Sequence, residues 1–173
     1  MRKKEKTLTR SFRISESVFK GLEQDASNRR ISVNTLVNQL FVRHVDFDRF
    51  FDQVGAIRLS RPTLSRILNA CPDDAISEVA RLSGKDTPKA VIHSKYGVFS
   101  LTTVLDYIRI MIVNGGYAEY NEVESQGKRT ITLIHNMGQK WSILMRHYFE
   151  TLFELVGHQS KITSSENSVT IEI

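Results

Sequence analysis

Between Thr7 and Val45 the sequence patterns one short strand and two short helices, and nothing beside them offers the strand a partner. From Thr7 to Ile14, the apolar Leu8, Phe12 and Ile14 alternate with Thr9, Ser11 and Arg13, with Arg10 out of step. That is the period of a half-buried strand. Ser15-Glu16-Ser17 then opens a helix, with Ser15 suited to cap it and Glu16 favourable in its first turn. Val18, Leu22 and Ala26 recur every four residues with Phe19 beside them, one apolar stripe on a helix of about three turns. Asn28-Arg29-Arg30 ends it. Ile31 precedes a second cap, Ser32, after which Leu36, Leu40 and His44 share a stripe flanked by Val37, Phe41 and Val45. A lone strand has two open edges, and two short helices with apolar faces enclose no core by themselves. A twofold dimer resolves both problems: the strands pair antiparallel and the helices of two copies interlock beneath them.

The run Thr9-Arg10-Ser11-Phe12-Arg13-Ile14-Ser15-Glu16-Ser17-Val18, followed by Leu22, Ala26 and the Ile31-Ser32 helix start, resembles the ribbon–helix–helix (MetJ/Arc/CopG-like) DNA-binding superfamily over residues 7–48. One departure is the inter-helix turn, where the family usually has a glycine. Here Asn28 is the residue expected to take the left-handed backbone. Another is that the second helix runs on through Phe47, Phe50 and Phe51. The resemblance implies a homodimer whose two-stranded ribbon enters the major groove of double-stranded DNA. In that register Phe12 and Ile14 face the helices, while Thr9, Ser11 and Arg13 face the bases. Arg13 can bond guanine O6 and N7, and the Thr9 methyl can touch a thymine methyl. The start of the second helix, at Ser32, Val33 and Asn34, offers backbone N–H groups to a phosphate. Such a contact positions the dimer without reading sequence.

Charge agrees with this placement. The chain carries 24 Lys and Arg against 19 Asp and Glu. Residues 1–13 hold Arg2, Lys3, Lys4, Lys6, Arg10 and Arg13 against Glu5 alone, and the remainder is balanced. A localised basic arm attracts phosphate through counterion release, so Arg2, Lys3, Lys4 and Lys6 are expected to add backbone contacts.

The other 120 or so residues are neutral and of ordinary globular composition, 40% hydrophobic with three prolines. They are expected to fold rather than trail. Ala56 to Leu59 reads as a short strand. Pro62 can open a helix holding Leu64, Ile67 and Leu68. Another helix is expected from Asp73 to Ser83, stopped by Gly84, and a strand over Ala90 to His93. Ser100 can cap a helix that ends at Gly115-Gly116. Tyr117–Glu124 and Arg129–His135 read as a hairpin around Ser125-Gln126-Gly127-Lys128. The strongest helix carries Trp141, Leu144, Met145, Tyr148, Phe149, Leu152, Phe153 and Val156, with Gly157 as its stop. A second hairpin closes the sequence around Ser165-Glu166-Asn167. Hairpin, helix, hairpin is faintly similar to small ligand-sensing domains of the vinyl-reductase-like and haem/nitric-oxide-binding-associated kind, and no family is assigned to this part. The fold class expected is α+β: a ribbon–helix–helix dimerisation and DNA-binding module at 1–51, then a small α+β domain at 52–173 with helices packed on antiparallel hairpins.

Enzymatic chemistry is not expected. His44, His93, His135, His147 and His158 fall into no metal-ligand spacing with each other or with Cys71. No phosphate loop or nucleophile elbow is present. Trp141, Tyr148, Phe149 and Phe153 could line a pocket, though a stripe at helical spacing reads first as core. The single cysteine, the absence of a long apolar run and the basic start without an apolar signal core point to a cytoplasmic, nucleoid-associated protein with no membrane partner. The function expected is a sequence-specific, homodimeric, prokaryotic transcription regulator, of repressor type, with no cofactor. Its C-terminal domain would sense a small-molecule effector or assemble dimers into higher oligomers. The alternative is a DNA-organising, partition-type protein whose C-terminal domain is an oligomerisation scaffold.

Overall fold

The computed structural model describes residues 7–173 and divides into two compact units, Met1–Arg43 and His44–Ile173. The first unit contains α1 (Glu16–Asn28) and α2 (Val33–Arg43). Ser15 stands in extended backbone, and its side chain accepts from the Val18 N–H, as the capping pattern requires. Ser32 does the same for α2, its Oγ accepting from the Thr35 N–H at 3.0 Å. Between the helices the Ala26 carbonyl accepts from Ile31 N–H and the Ser27 carbonyl from Arg30 N–H, each at 3.0 Å. This is the paired reverse bonding of a left-handed helix stop. The left-handed residue is Arg30, at φ 54°, and not the expected Asn28, which is still helical. The reverse bonds span residues 26–31, so the reversal falls after the cap rather than before it.

The expected strand at Thr7–Ile14 is not formed within one chain: these residues carry neither helix nor ladder, and all are exposed. A ladder needs a second strand, and the described residues of this unit contain none. Among the described residues, only Ala26 of α1 and Leu36 of α2 are buried in the helices of this unit.

The second unit starts with a π-helical turn (His44–Asp48) and α3 (Arg49–Gln53). Phe47, Phe50 and Phe51 are buried in its core, and Phe51 stacks on Tyr107 at 6.2 Å between ring centres. The domain boundary expected after residue 51 therefore lies earlier, between Arg43 and His44. These phenylalanines prolong the helical pattern but serve a different core. Ala56 to Leu59 is not a strand; it is an exposed connection, with Ile57 79% exposed and no strand alongside.

Next come α4 (Arg61–Ala70), capped by Ser60 with Pro62 in its first turn, and α5 (Asp73–Tyr96). The helix expected to stop at Gly84 continues for twelve more residues, and the strand expected over Ala90–His93 is part of it. Gly84 is where α5 lies against α7 (Gln139–Leu155). A Cβ there would sit 2.6 Å from the Tyr148 carbonyl oxygen, so the glycine serves close packing, not termination. Pro88 lacks the N–H that would bond the carbonyl of residue 84, yet Val91 and Ile92 beyond it are buried in the core. Tertiary packing here overrides two helix-breaking residues.

α6 (Leu101–Gly115) begins with a reciprocal cap between Ser100 and Thr103 and ends on Gly116 in the left-handed region, at φ 70°. β1 (Glu119–Ser125) and β2 (Lys128–Ile134) form the expected hairpin, with Gln126 and Gly127 both at positive φ. That turn carries the right-handed twist of paired strands. After α7, β3 (Lys161–Ser164) and β4 (Ser168–Glu172) form the second hairpin. All four strands join one antiparallel sheet in the order β1-β2-β4-β3. Ile131 and Leu133 of β2 and Val169 and Ile171 of β4 are fully buried, with polar residues between them. The two central strands thus supply one apolar face. α7 packs on β3 and β4 and also against α4, α5 and α6. Mixed helix and antiparallel sheet makes this an α+β protein. Among the described residues no single helix is long and apolar enough to cross a membrane.

Candidate nucleic-acid interface and an apolar cavity

The base-facing candidates Thr9, Ser11 and Arg13 are all exposed. Arg13 has no carboxylate partner among the described residues, whereas Arg10 turns back to donate to the Thr9 carbonyl at 3.2 Å. Phe12, between the candidates, meets Phe41 of α2 edge-on at 5.9 Å between ring centres. Phe12 therefore touches a helix of its own unit while remaining largely exposed. Ser32 and Asn34 are exposed and Val33 is half-buried. The Ser32 hydroxyl takes up the Thr35 N–H, and the N–H groups of Val33 and Asn34, at the first positions of α2, have no intrahelical acceptor. Arg2, Lys3, Lys4 and Lys6 lie outside the described residues.

Many of the large apolar side chains of this unit are left open. Leu8 and Phe12 are each 70% exposed, and Ile14, Val18, Phe19, Leu40, Phe41 and Val42 are also exposed. So many large apolar groups on one short segment exceed the scatter normal to a monomer's surface.

The second unit has a cavity of about 170 Å³ whose walls include Met111 of α6, Tyr117, and Trp141, Leu144, Tyr148 and Phe149 of α7. The Tyr148 hydroxyl pairs with that of Tyr107 at 2.6 Å, and burial pushes both phenols far above their ordinary pKa. The Trp141 indole N–H is sealed from solvent and has no acceptor. A separate polar cleft lies between Asp46, Arg49, Lys95, Tyr96, Asp106 and Arg109. Lys95 pairs with Asp46 at 3.0 Å, Arg109 lies 3.5 Å from Asp106, and the Tyr96 hydroxyl donates to Asp106. These charges largely answer one another.

The chain matches no protein-family model and shows no significant match to a curated protein.

The histidines are scattered, and no cluster of three or more potential metal ligands exists among the described residues. His135 is buried and belongs to a structural knot. Its Nε2–H donates to Ser142 Oγ at 2.9 Å, Ser142 donates to the Glu166 carbonyl at 3.1 Å, and its Nδ1 accepts from Met137 N–H. The Gly138 N–H reaches Asn167 Oδ1 at 3.1 Å. The segment His135–Ser142 thus ties β2, α7 and the β3–β4 turn together. His147 pairs with Glu150 at 2.8 Å on the same helix, and His44 is exposed. Sequence reasoning named Trp141, Tyr148 and Phe149 as pocket candidates but missed Met111 and Tyr117. Those two come from α6 and the approach to β1, and only the packing of α6 against α7 brings them to the same space. Phe153, also named, is buried in the core away from the cavity wall.

Proposed function

We propose that this chain is a homodimeric, sequence-specific double-stranded-DNA-binding regulator with a ribbon–helix–helix module at its N-terminal end. The observation that carries the reading is the first unit's open apolar surface: an unpaired, strand-patterned arm and two capped helices with almost no interior of their own. A second copy supplies both the missing strand and the missing half of the core. In that dimer Phe12 and Ile14 turn inward, and Thr9, Ser11 and Arg13 form the outer face of a ribbon narrow enough for the major groove. Val33 and Asn34 N–H groups hold a phosphate, and Arg2, Lys3, Lys4 and Lys6 add salt-sensitive contacts. The second unit senses an effector or assembles dimers. The nucleoid is where such a protein works.

Selecting bound duplexes from a random pool, then measuring Arg13→Ala on the selected site, tests this. Discrimination should fall by roughly 1–3 kcal/mol per specific contact. Removing residues 1–6 should weaken all sequences alike and flatten the salt dependence. A monomer at micromolar concentration, or Arg13→Ala with unchanged specificity, rejects the reading.

A further inference from the structure

We infer that the cleft between the π-helical turn, α3, the end of α5 and α6 binds a small organic monoanion, a carboxylate on a compact apolar body. Binding itself is independent of DNA; its use as an effector signal rests on the sensing role proposed above. The cleft encloses about 470 Å³, within the range of small-molecule sites. Arg49, Lys95 and Arg109 line it against Asp46 and Asp106, three cations to two carboxylates. Both carboxylates are engaged. Lys95 Nζ donates to Asp46 Oδ1 and to the Asp46 carbonyl, each at 3.0 Å. Asp106 accepts from the Tyr96 hydroxyl and has Arg109 3.5 Å away. Burial, then the bond to Asp106, push the Tyr96 phenol up, so it adds no charge. One positive charge is left over, and a monoanion balances it. A phosphate monoester, at about −1.5 to −2, would overshoot.

The surplus lies on Arg49, which forms no ion pair among the described residues. Its Nε donates to the Val45 carbonyl at 2.8 Å, and its guanidinium carbon lies 4.5 Å from the centre of the Phe50 ring, itself 4% exposed. The guanidinium is thus held in place while its terminal N–H donors have no acceptor among the described residues. A fixed planar fork of donors suits a carboxylate, which it can take with two bonds. Lys95 brings the N–H it does not spend on Asp46. Ile110 and Val113 of α6 supply apolar wall, and Val113 is 60% exposed, so an apolar body gains by covering them. π-helical turns recur at functional sites, and this one supplies Asp46.

The experiment uses the full chain without DNA, so that its failure and that of the DNA-binding reading are distinct. Benzoate is compared by calorimetry with benzamide, its neutral isostere, and with inorganic phosphate; the arginine Nε–H resonances locate the site. Benzoate should saturate, move the Arg49 resonance, and bind about tenfold or more tighter than benzamide. Arg49→Gln should remove that preference. Arg66→Gln, at an exposed arginine of α4 outside the cleft, should leave it intact. Absence of saturation, shifts confined to the basic arm, a preference that survives Arg49→Gln, an equal loss in Arg66→Gln, or phosphate bound tighter than benzoate overturns the inference. Should Arg49→Gln fail to fold, the Arg49 shift in the unaltered chain still decides.

Discussion

The two units use the same kinds of side chain to opposite ends. In the second, Phe47, Phe51, Ile108, Phe149, Val169 and their neighbours form a continuous interior that spans α3 to β4. In the first, Phe12, Val18, Phe19, Leu40 and Phe41 are exposed while Ala26 and Leu36 alone are buried among its helical residues. Both contain helices with side-chain caps, α1 and α2 in one and α4 and α6 in the other, so local structure is not what separates them. The difference is where the apolar faces find partners. One unit encloses a core within a single chain; under the proposed dimer, the other is half of a fold. Burying one Phe or Leu side chain gains about 1.5–3 kcal/mol. Covering the first unit's open face, as the proposed dimer does, is therefore a large driving force.

The largest effect should come from the complete unit. Phe149 is fully buried and packs edge-on against Tyr148 at 5.6 Å between ring centres. Phe149→Ala should cost about 3–5 kcal/mol of that unit's stability. Urea melts followed by the far-ultraviolet signal would show it, and its midpoint should be the same at low and high protein concentration. A loss below about 1 kcal/mol would mean that the interior is not tightly packed.

Phe12→Ala sharpens the contrast. At 70% exposure in one chain, this residue should matter by no more than about 0.5 kcal/mol if the monomer is the working form. Buried across a dimer, its loss should cost about 2 kcal/mol or more per protomer. The first unit's transition should also move to higher temperature as protein concentration rises, which a self-contained unit does not do. A neutral substitution together with a concentration-independent melt would break the comparison.

Legibility in the sequence divides along the same line. Local signals were readable: Ser15, Ser32 and Ser100 cap helices where their spacing says they should, Pro62 stands in the first turn of the helix it can open, and Gln126-Gly127 turns a hairpin. The apolar stripe of α7 was equally plain. Gly84 and Pro88 misled because their meaning is tertiary: one makes room for Tyr148, and the other is tolerated inside a well-packed helix. Ile57 misled because a short apolar alternation looks alike whether or not a strand stands beside it. Of the candidate sites, the arm shows its alternation of Phe12 and Ile14 with polar neighbours in the sequence, but a single chain gives that alternation no strand to act in. The cavity was only half legible, since Trp141 and Tyr148 share a helix while Met111 and Tyr117 reach it through the fold.

The smallest effect concerns acid, and it should be confined to the complete unit. His135 is 7% exposed, and burial lowers its pKa from the ordinary 6.5. Its Nδ1 accepts from Met137 N–H, so a proton there would set donor against donor. Glu166 gives this knot its backbone carbonyl, through Ser142, and not its carboxylate. In the unfolded chain the imidazole protonates near its ordinary value; in the folded chain it resists. Below about pH 6.5 the unfolded state binds the extra proton, so stability falls as pH falls, until the folded-state pKa is passed and the loss levels off. Above that window the contribution is complete. Melts between roughly pH 7 and 5, before most carboxylates titrate, should show this slope in the second unit's transition. His135→Gln should lower stability at neutral pH and flatten the slope. The same slope in His135→Gln would place the acid sensitivity elsewhere and leave the knot a purely neutral tie between β2, α7 and the final hairpin.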